Sequence, residues 1–349
     1  MVAKRKTILT PGHPSMTDNI RVSMVASTDS TYGVVRRSVE LLTDQTRLDA
    51  IQLILVGPSR DVMQPDLETL SKFAAYEIIE IGAFQSTGAS MAAGYQHAEG
   101  DILVYVEEHG FPPVDFAEKL IETFDETGSD VVGYGLLPSN PGNVAWAHIY
   151  AQFGGAVPPQ PSGYQNRLGP HHVAYRASAL PLDDPAIGAL LSNEAALHEM
   201  MRQQGKRLYY RGDLALRHAQ ISDFWSLLTH EFLSGVTFAD ARRAAQNWPI
   251  WKRAVYVLGA PLIPFWRTGR AMVDMHRSGR LLKLSPWSPL IILAVSTAGA
   301  AGEVVGYTIG TRQWITDWRS TFELDRFAFV NESDQIAAPK TAEEARKLT

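Results

Sequence analysis

Cysteine is absent from the 349 residues. That excludes disulfides, zinc–thiolate sites, iron–sulfur clusters and thiol catalysis, and it suits a reducing compartment. Three phosphate- or acyl-handling signatures are missing as well. There is no Gly-Lys-Ser/Thr phosphate loop, no GxGxxG following the first apolar run Ile20–Ser30, and no Gly-x-Ser-x-Gly elbow. Walker-type, nicotinamide-dependent and serine-hydrolase chemistry therefore lack their usual marks. The amino terminus, MVAKRKTILTPGHPSMTDN, is basic without an apolar core, so it does not read as a secretory signal, and a cytoplasmic location is expected. No internal repeat is present.

What is present is unevenly charged. Between Arg242 and Lys283 stand nine basic side chains and one acid, Asp274, a net of +8; the rest of the chain carries −13 of the overall −5. Such a split expects an anionic surface as partner for the basic segment. With 45% hydrophobic residues the chain can bury one large core or two modest ones.

From Ile20 to about Leu137 short apolar runs alternate with helical patterns. Strands are expected at Ile20–Ala26, Ile51–Val56, Glu77–Ile81, Ile102–Val106 and Asp130–Leu136, with helices over Val34–Leu42, Ala89–His97 and Phe116–Thr127. That order implies an α/β fold, a mainly parallel sheet flanked by helices, whose ligands collect at the carboxyl ends of the strands. Pro138 to Pro170 is rich in Pro, Gly, Asn and Gln, and reads either as a mobile substrate-covering loop or as an ordered excursion. A strand HHVAYR follows, then a helix capped by Ser192 or Asn193 and stopped by Gly205, then a strand pair around RLYY and LALRH. After Ser222 helices, aromatics and bases prevail. Leu284–Gly302 is uncharged, and Leu290–Ile309 is long enough to span a bilayer, to lie in or re-enter its interface, or to form a buried helical pair. The domains read as a flexible 1–19, an α/β domain at 20–225, a helical membrane-associating region at 226–330 and a disordered tail at 331–349.

The strand Ile102–Val106 ends in Glu107, Glu108 and His109. Carboxylate oxygens and a neutral imidazole nitrogen can hold a divalent ion, and in extended chain Glu107 and His109 point the same way. A solvated turn is the ordinary alternative. Glu194, in the first turn of its helix, has a sufficient structural reason in the helix dipole. His218 closes LALRH as a further metal ligand or as a satisfied interior histidine. Gly88, Ala89 and Ser90, small residues at a helix start, allow close approach of a ligand to backbone N–H groups.

In this order the pieces resemble a family 2 glycosyltransferase of the GT-A fold over about residues 20–225. IRVSMVASTDSTYGVVRRSVELLTDQT with IQLILVGPSRD is similar to the family's opening strand, turn, helix and second strand. TGASMAAGYQHAEGDILVYVEEHGFPP resembles the segment leading to its acidic metal motif, and Asn193–Glu194 before ALHEMMRQQGKRLYYRGDLALRH resembles its acceptor-base motif with the following strand. The resemblance implies an inverting transferase that moves a sugar from a nucleotide-sugar donor to a hydroxyl, with a divalent cation, Mn or Mg, at the diphosphate. It implies Glu194 as general base, Glu107, His109 and His218 as metal ligands, and Ser27, Thr28, Asp29, Gly88, Ser90, Glu107 and Glu108 around the donor. His171, His172 and Tyr175 would line the acceptor site. The basic and apolar carboxyl-terminal third adds the expectation of a membrane-associated enzyme, peripheral or with one apolar carboxyl-terminal segment inserted, acting on a glycan or lipid-linked acceptor at an anionic membrane surface; nucleic acid is not an expected partner. Glu-Glu-His replaces the usual Asp-rich motif, Val56 and Gly57 stand where an acidic pair holds the nucleoside, and Met91-Ala92 replaces an Arg-Asn pair. Those departures are the marks of a second reading, a catalytically inactive GT-A-like subunit that docks at a membrane for binding or assembly.

Overall fold

The computed structural model describes residues 19–140, 142–169 and 171–337. The expectations for residues 1–18 and 338–349 lie outside those described. Of the expected disordered tail, Glu332–Ala337 is a short helix.

Among the described residues nine strands form one sheet: β1 (Val22–Ser27), β2 (Ile51–Gly57), β3 (Ala75–Glu80), β4 (Ile102–Val106), β5 (Gly110–Phe111), β6 (Val131–Pro138), β7 (Gly163–Gln165), β8 (Val173–Arg176) and β9 (Leu208–His218). Their order is β3-β2-β1-β4-β8-β6-β9-β5, with β7 on β9. The first four are parallel, and every residue of β1 and β2 is buried. That is why these runs are mostly apolar rather than alternating, with Ser23 and Gln52 hydrogen-bonded to each other inside: a parallel sheet is covered on both faces. The sheet is mixed beyond β4, because β8 enters antiparallel between β4 and β6.

Register explains where a site forms. Ala26 lies beside Val106 in the β1–β4 ladder, so Ser27 and Glu107 leave the sheet at one edge. Val104 pairs with Ala174 across the antiparallel β4–β8 ladder, which brings the residues just before β8, His171 and His172, to the same edge. Three separated sequence segments thus meet at the carboxyl end of β4.

The described residues fall into two compact units, the first made of 19–135 and 161–217, the second of 136–160 and 218–337. The division lies inside β6 and at the last residue of β9, so residues 136–160 group with the carboxyl-terminal helices rather than with the 20–225 segment. The first unit's core packs Val25, Ile54 and Leu103 of the sheet against Tyr95, Leu197 and Met201 of its helices. Two local expectations need correction. RLYY and LALRH belong to a single eleven-residue strand, β9, since Arg211 to Asp213 continue it without a turn. The Pro138–Pro170 region contains a helix, Asn143–Phe153, with Ala145, Ala147, Ile149 and Tyr150 buried.

In the second unit the helices Phe224–Ala245 and Ser288–Thr308 pack most closely. Glycine sets the separation. A Cβ at Gly302 would fall 2.0 Å from the Phe232 carbonyl oxygen, and one at Gly306 2.4 Å from that of Val236. Glu303, buried in the apolar helix, pairs with Arg267 at 2.5 Å. The 288–308 helix is long and apolar enough to cross a membrane by length and composition, and half of that stretch is buried by the protein itself.

Candidate donor site and its acidic cluster

Glu107, Glu108 and His109 come together through a turn, not through extended chain. Gly110 N–H donates to the Glu107 carbonyl at 3.0 Å, folding the chain back directly after β4. Glu107 and His109 still converge, with His109 Nε2 3.6 Å from Glu107 Oε2. Glu108 has a different task from its neighbours. Its Oε1 lies 2.9 Å from His109 Nδ1, so the carboxylate takes that N–H and leaves the lone pair on Nε2, the nitrogen that faces Glu107. Ser38 Oγ, donating to the Glu108 carbonyl at 2.8 Å, anchors the turn from the first helix.

His218, the last residue of β9, completes the group: one ligand atom each from Glu107, His109 and His218 lie within 4.8 Å of one another. Beside it, Gln220 Nε2 is 2.7 Å from His218 Nδ1 while Gln220 Oε1 is buried without a hydrogen bond. Turning the amide over would pair Oε1 with Nδ1–H, the tautomer that carries its lone pair on Nε2. One carboxylate and two imidazoles with their outer nitrogens held is a fitting donor set for a divalent ion. It is softer than an Asp-rich set and suits manganese or zinc better than magnesium.

Glu194 is buried at the start of the helix Glu194–Gln203, whose cap is Asn193, accepting from Ala196 N–H. Tyr175 Oη donates to Glu194 Oε1 at 2.7 Å, and the His171 backbone N–H donates to Oε2. His171 adopts φ 71°, a left-handed conformation unusual for a residue with a Cβ, and that bond to Glu194 holds it there. Its half-exposed ring spans the cluster, with Nδ1 3.8 Å from Glu194 and 4.0 Å from Glu107.

The other expected residues fall into clear places. Tyr175 is fully buried against Glu194, and burial together with that carboxylate raises its hydroxyl well above the usual range, so it donates as a neutral phenol. His172 is buried beside Tyr134, and burial lowers its imidazole to about 4. Ser27 Oγ is 2.8 Å from Tyr105 Oη, and Thr28 Oγ1 shapes the following turn by donating to the Thr31 carbonyl; Asp29 is exposed. Gly88 has a packing reason, since a Cβ there would lie 2.3 Å from the Gly188 carbonyl oxygen. Ser90 is buried, and the start of its helix is already capped by Ser86 Oγ at 3.1 Å from Ala89 N. Sequence reasoning missed His198, whose Nε2 lies 3.0 Å from Tyr175 Oη. Its signal was available: four residues after Glu194, it occupies the same face of one helix.

Residues 31–181 match the family model Glycosyl transferase family 2. The matched segment is a family 2 glycosyltransferase domain. Over that segment the chain carries a sugar-transferring domain of the GT-A fold. Glu107, Glu108, His109, His171, His172 and Tyr175 lie inside the match, whereas Glu194 and His218 follow it. No curated protein sequence matches the chain. Among solved structures it is similar to S. aureus TarS, at 14% identity and TM-score 0.47, covering 82% of this chain and 55% of that one. A shorter TarS structure aligns at 14% and 0.46, covering 87% and 91%. A mannosyltransferase from Pyrobaculum calidifontis, PcManGT, in complex with GDP-Man and Mn2+, aligns at 13% and 0.43, covering 93% and 90%.

Proposed function

We propose that this glycosyltransferase takes its sugar from a nucleotide-sugar donor and transfers it, with inversion, to a hydroxyl of a membrane-proximal or lipid-linked glycan. The convergence of Glu107, His109 and His218 at the carboxyl edge of β4 carries the reading. Those three side chains would hold a divalent cation, which when bound offsets the negative charge gathering on the departing nucleoside diphosphate. Glu108 keeps His109 in the tautomer that ligates. Glu194 is the base: Tyr175 and the His171 N–H fix its plane, and a carboxylate retains lone pairs beyond the two used, so it can take the acceptor's proton as the glycosidic bond forms. His171 lines the approach between Glu194 and Glu107. The turn Ser27–Asp29 lies at the same sheet edge and contacts the nucleoside, a role for Asp29 in place of the absent acidic pair.

The acceptor assignment rests on the second unit's surface. The helix Ile250–Gly259 has no buried residue, and Ile250, Trp251, Leu258, Leu262, Phe265 and Trp266 are all exposed along it, the turn Ala260–Leu262 and its successor Ile263–Arg277. Lys252, Arg253, Arg267, Arg270 and Arg277 are interleaved with them, and Phe265, Trp266, Arg270 and Arg277 border one open depression. Apolar and tryptophan side chains among cations suit helices lying in the plane of an anionic leaflet.

The donor reading is tested by calorimetric titration of nucleoside diphosphates in manganese and in chelator. Binding that needs the cation, and that is weakened at least tenfold by Glu107→Ala, is expected. Equal binding in chelator, or none by any nucleoside diphosphate, contradicts it.

A further inference from the structure

A second group of ligating side chains lies in the helical unit, away from the sequence segments of the donor site. His148 comes from the helix Asn143–Phe153, and His230 and Glu231 from Phe224–Ala245. All three are buried, and one ligand atom from each falls within 4.8 Å of the others. His148 Nε2 stands 3.5 Å from Glu231 Oε1, and His230 Nδ1 3.3 Å from the same oxygen. Bonds of about 2.0–2.1 Å set the ligand atoms of a tetrahedral ion about 3.3–3.4 Å apart, so these separations are those of ligands around a small cation.

Two further observations point the same way. His230 turns its other nitrogen, Nε2, to Glu323 Oε1 at 3.3 Å, the carboxylate–histidine arrangement that orients an imidazole toward a metal. Glu323 is itself held by Arg326, and Gln152 Nε2 donates to Glu231 Oε1. His148 is the telling member. It is 1% exposed, its ring meets that of His230 edge-on at 5.9 Å between centroids, its Nδ1 has no hydrogen-bond partner, and its Nε2 has only the 3.5 Å approach to Glu231. An ion pair of His230 with its two carboxylates explains three of the four residues but leaves the buried His148 with one long contact to Glu231 and no partner at Nδ1, at a cost in desolvation. A cation accepting its lone pair accounts for all four.

We propose that His148, His230 and Glu231 form a binding site for a single divalent transition ion, of the zinc class, which joins the 143–153 helix to the 224–245 helix, with Glu323 and Gln152 orienting the ligands. Two nitrogens and one carboxylate oxygen favour zinc or its borderline neighbours over calcium or magnesium. The site is independent of the transferase reading: it reacts with nothing and serves to hold the second unit together.

The test uses the full chain stripped of metal by chelator, carrying His109→Ala and His218→Ala so that the donor-site cluster no longer contributes ligands. Zinc alone is the probe. One equivalent per chain is expected by elemental mass spectrometry after equilibration with micromolar zinc, together with a rise in melting temperature. Cobalt in its place should give the visible absorption of a four-coordinate nitrogen–oxygen site. Adding His148→Ala or Glu231→Gln should remove the equivalent, and Glu323→Gln should weaken it about 10–100-fold. Should those variants fail to fold, the parent's melting shift with zinc still decides. A parent that takes up no zinc and melts unchanged in its presence overturns the proposal, as does an equivalent that survives both ligand substitutions in folded protein.

Discussion

His172 shows how one buried side chain couples this fold to pH. Burial lowers its imidazole to about 4, whereas in the unfolded chain it titrates near its ordinary value of about 6.5. The unfolded state therefore takes up a proton as pH falls from about 6.5 to about 4 while the folded state does not, and stability is lost across that window. Above about pH 7 the residue is neutral in both states and costs nothing. Between pH 7.5 and 4.5 this group alone should remove about 2–3 kcal/mol. Urea denaturation at the two pH values is expected to show a smaller loss for His172→Gln than for the parent chain by that amount; equal losses would remove His172 as the source. The same residue marks a boundary of sequence reading. HHVAYR announced a strand with two histidines and a tyrosine near the acceptor, but not that His171 alone would be exposed while His172 and Tyr175 are buried. Alternation along four residues cannot show this, because β8 lies between β4 and β6 with Val173, Ala174 and Tyr175 all buried. Glu107 and His109 were legible as partners, although for a reason the chain does not use: a turn, not an extended strand, brings them together.

At the scale of elements, the parallel strands were legible to within about two residues, since β1, β2 and β4 are predominantly apolar runs bounded by turns. The helix Asn143–Phe153 was hidden by the Pro and Gly on either side of it, and its buried face is spread over both Ala145–Ala147 and Ile149–Tyr150 with little polar contrast to reveal a period. Leu290–Ile309 was ambiguous for a related reason. Its glycines fit a spanning helix, an interfacial one and a packed pair alike, and only the partner decides. Here Gly302 and Gly306 admit the backbone of the 224–245 helix, Gly235 of that helix admits the Gly299 carbonyl in return, and Arg267 answers Glu303. Gly302→Val should therefore force the two helices apart at the Phe232 carbonyl. The expected loss is about 3 kcal/mol, at or above the upper end of ordinary overpacking, because the obstacle is backbone rather than a movable side chain. Thermal unfolding of the variant measures it, and an unchanged midpoint would mean that this close approach does not exist in solution.

Over the whole molecule the charge division read from sequence acquires a surface. The +8 segment contains the two helices that leave tryptophan, phenylalanine and leucine exposed, while the sheet unit exposes only scattered large apolar residues among those described, Val62, Leu67 and Tyr164. Co-sedimentation with vesicles should find the protein bound to anionic lipid and released as ionic strength rises, since exposed charge pairs are screened over about 10 Å at 0.1 M salt. Trp251→Ser with Leu258→Ser should lower binding by about tenfold or more without altering the fold, because neither side chain is buried. Binding that is indifferent to lipid charge and to both substitutions would place the acceptor elsewhere. The central claim, a sugar transferase whose base is Glu194, is tested most directly by turnover. Nucleoside diphosphate release from a panel of nucleotide sugars, with manganese, should single out one donor for the parent chain. Glu194→Gln should bind that donor with the same affinity yet turn it over about 100–10,000-fold more slowly, as loss of a general base requires. Turnover by the variant at the parental rate, or release from no nucleotide sugar by the parent itself, would contradict the account.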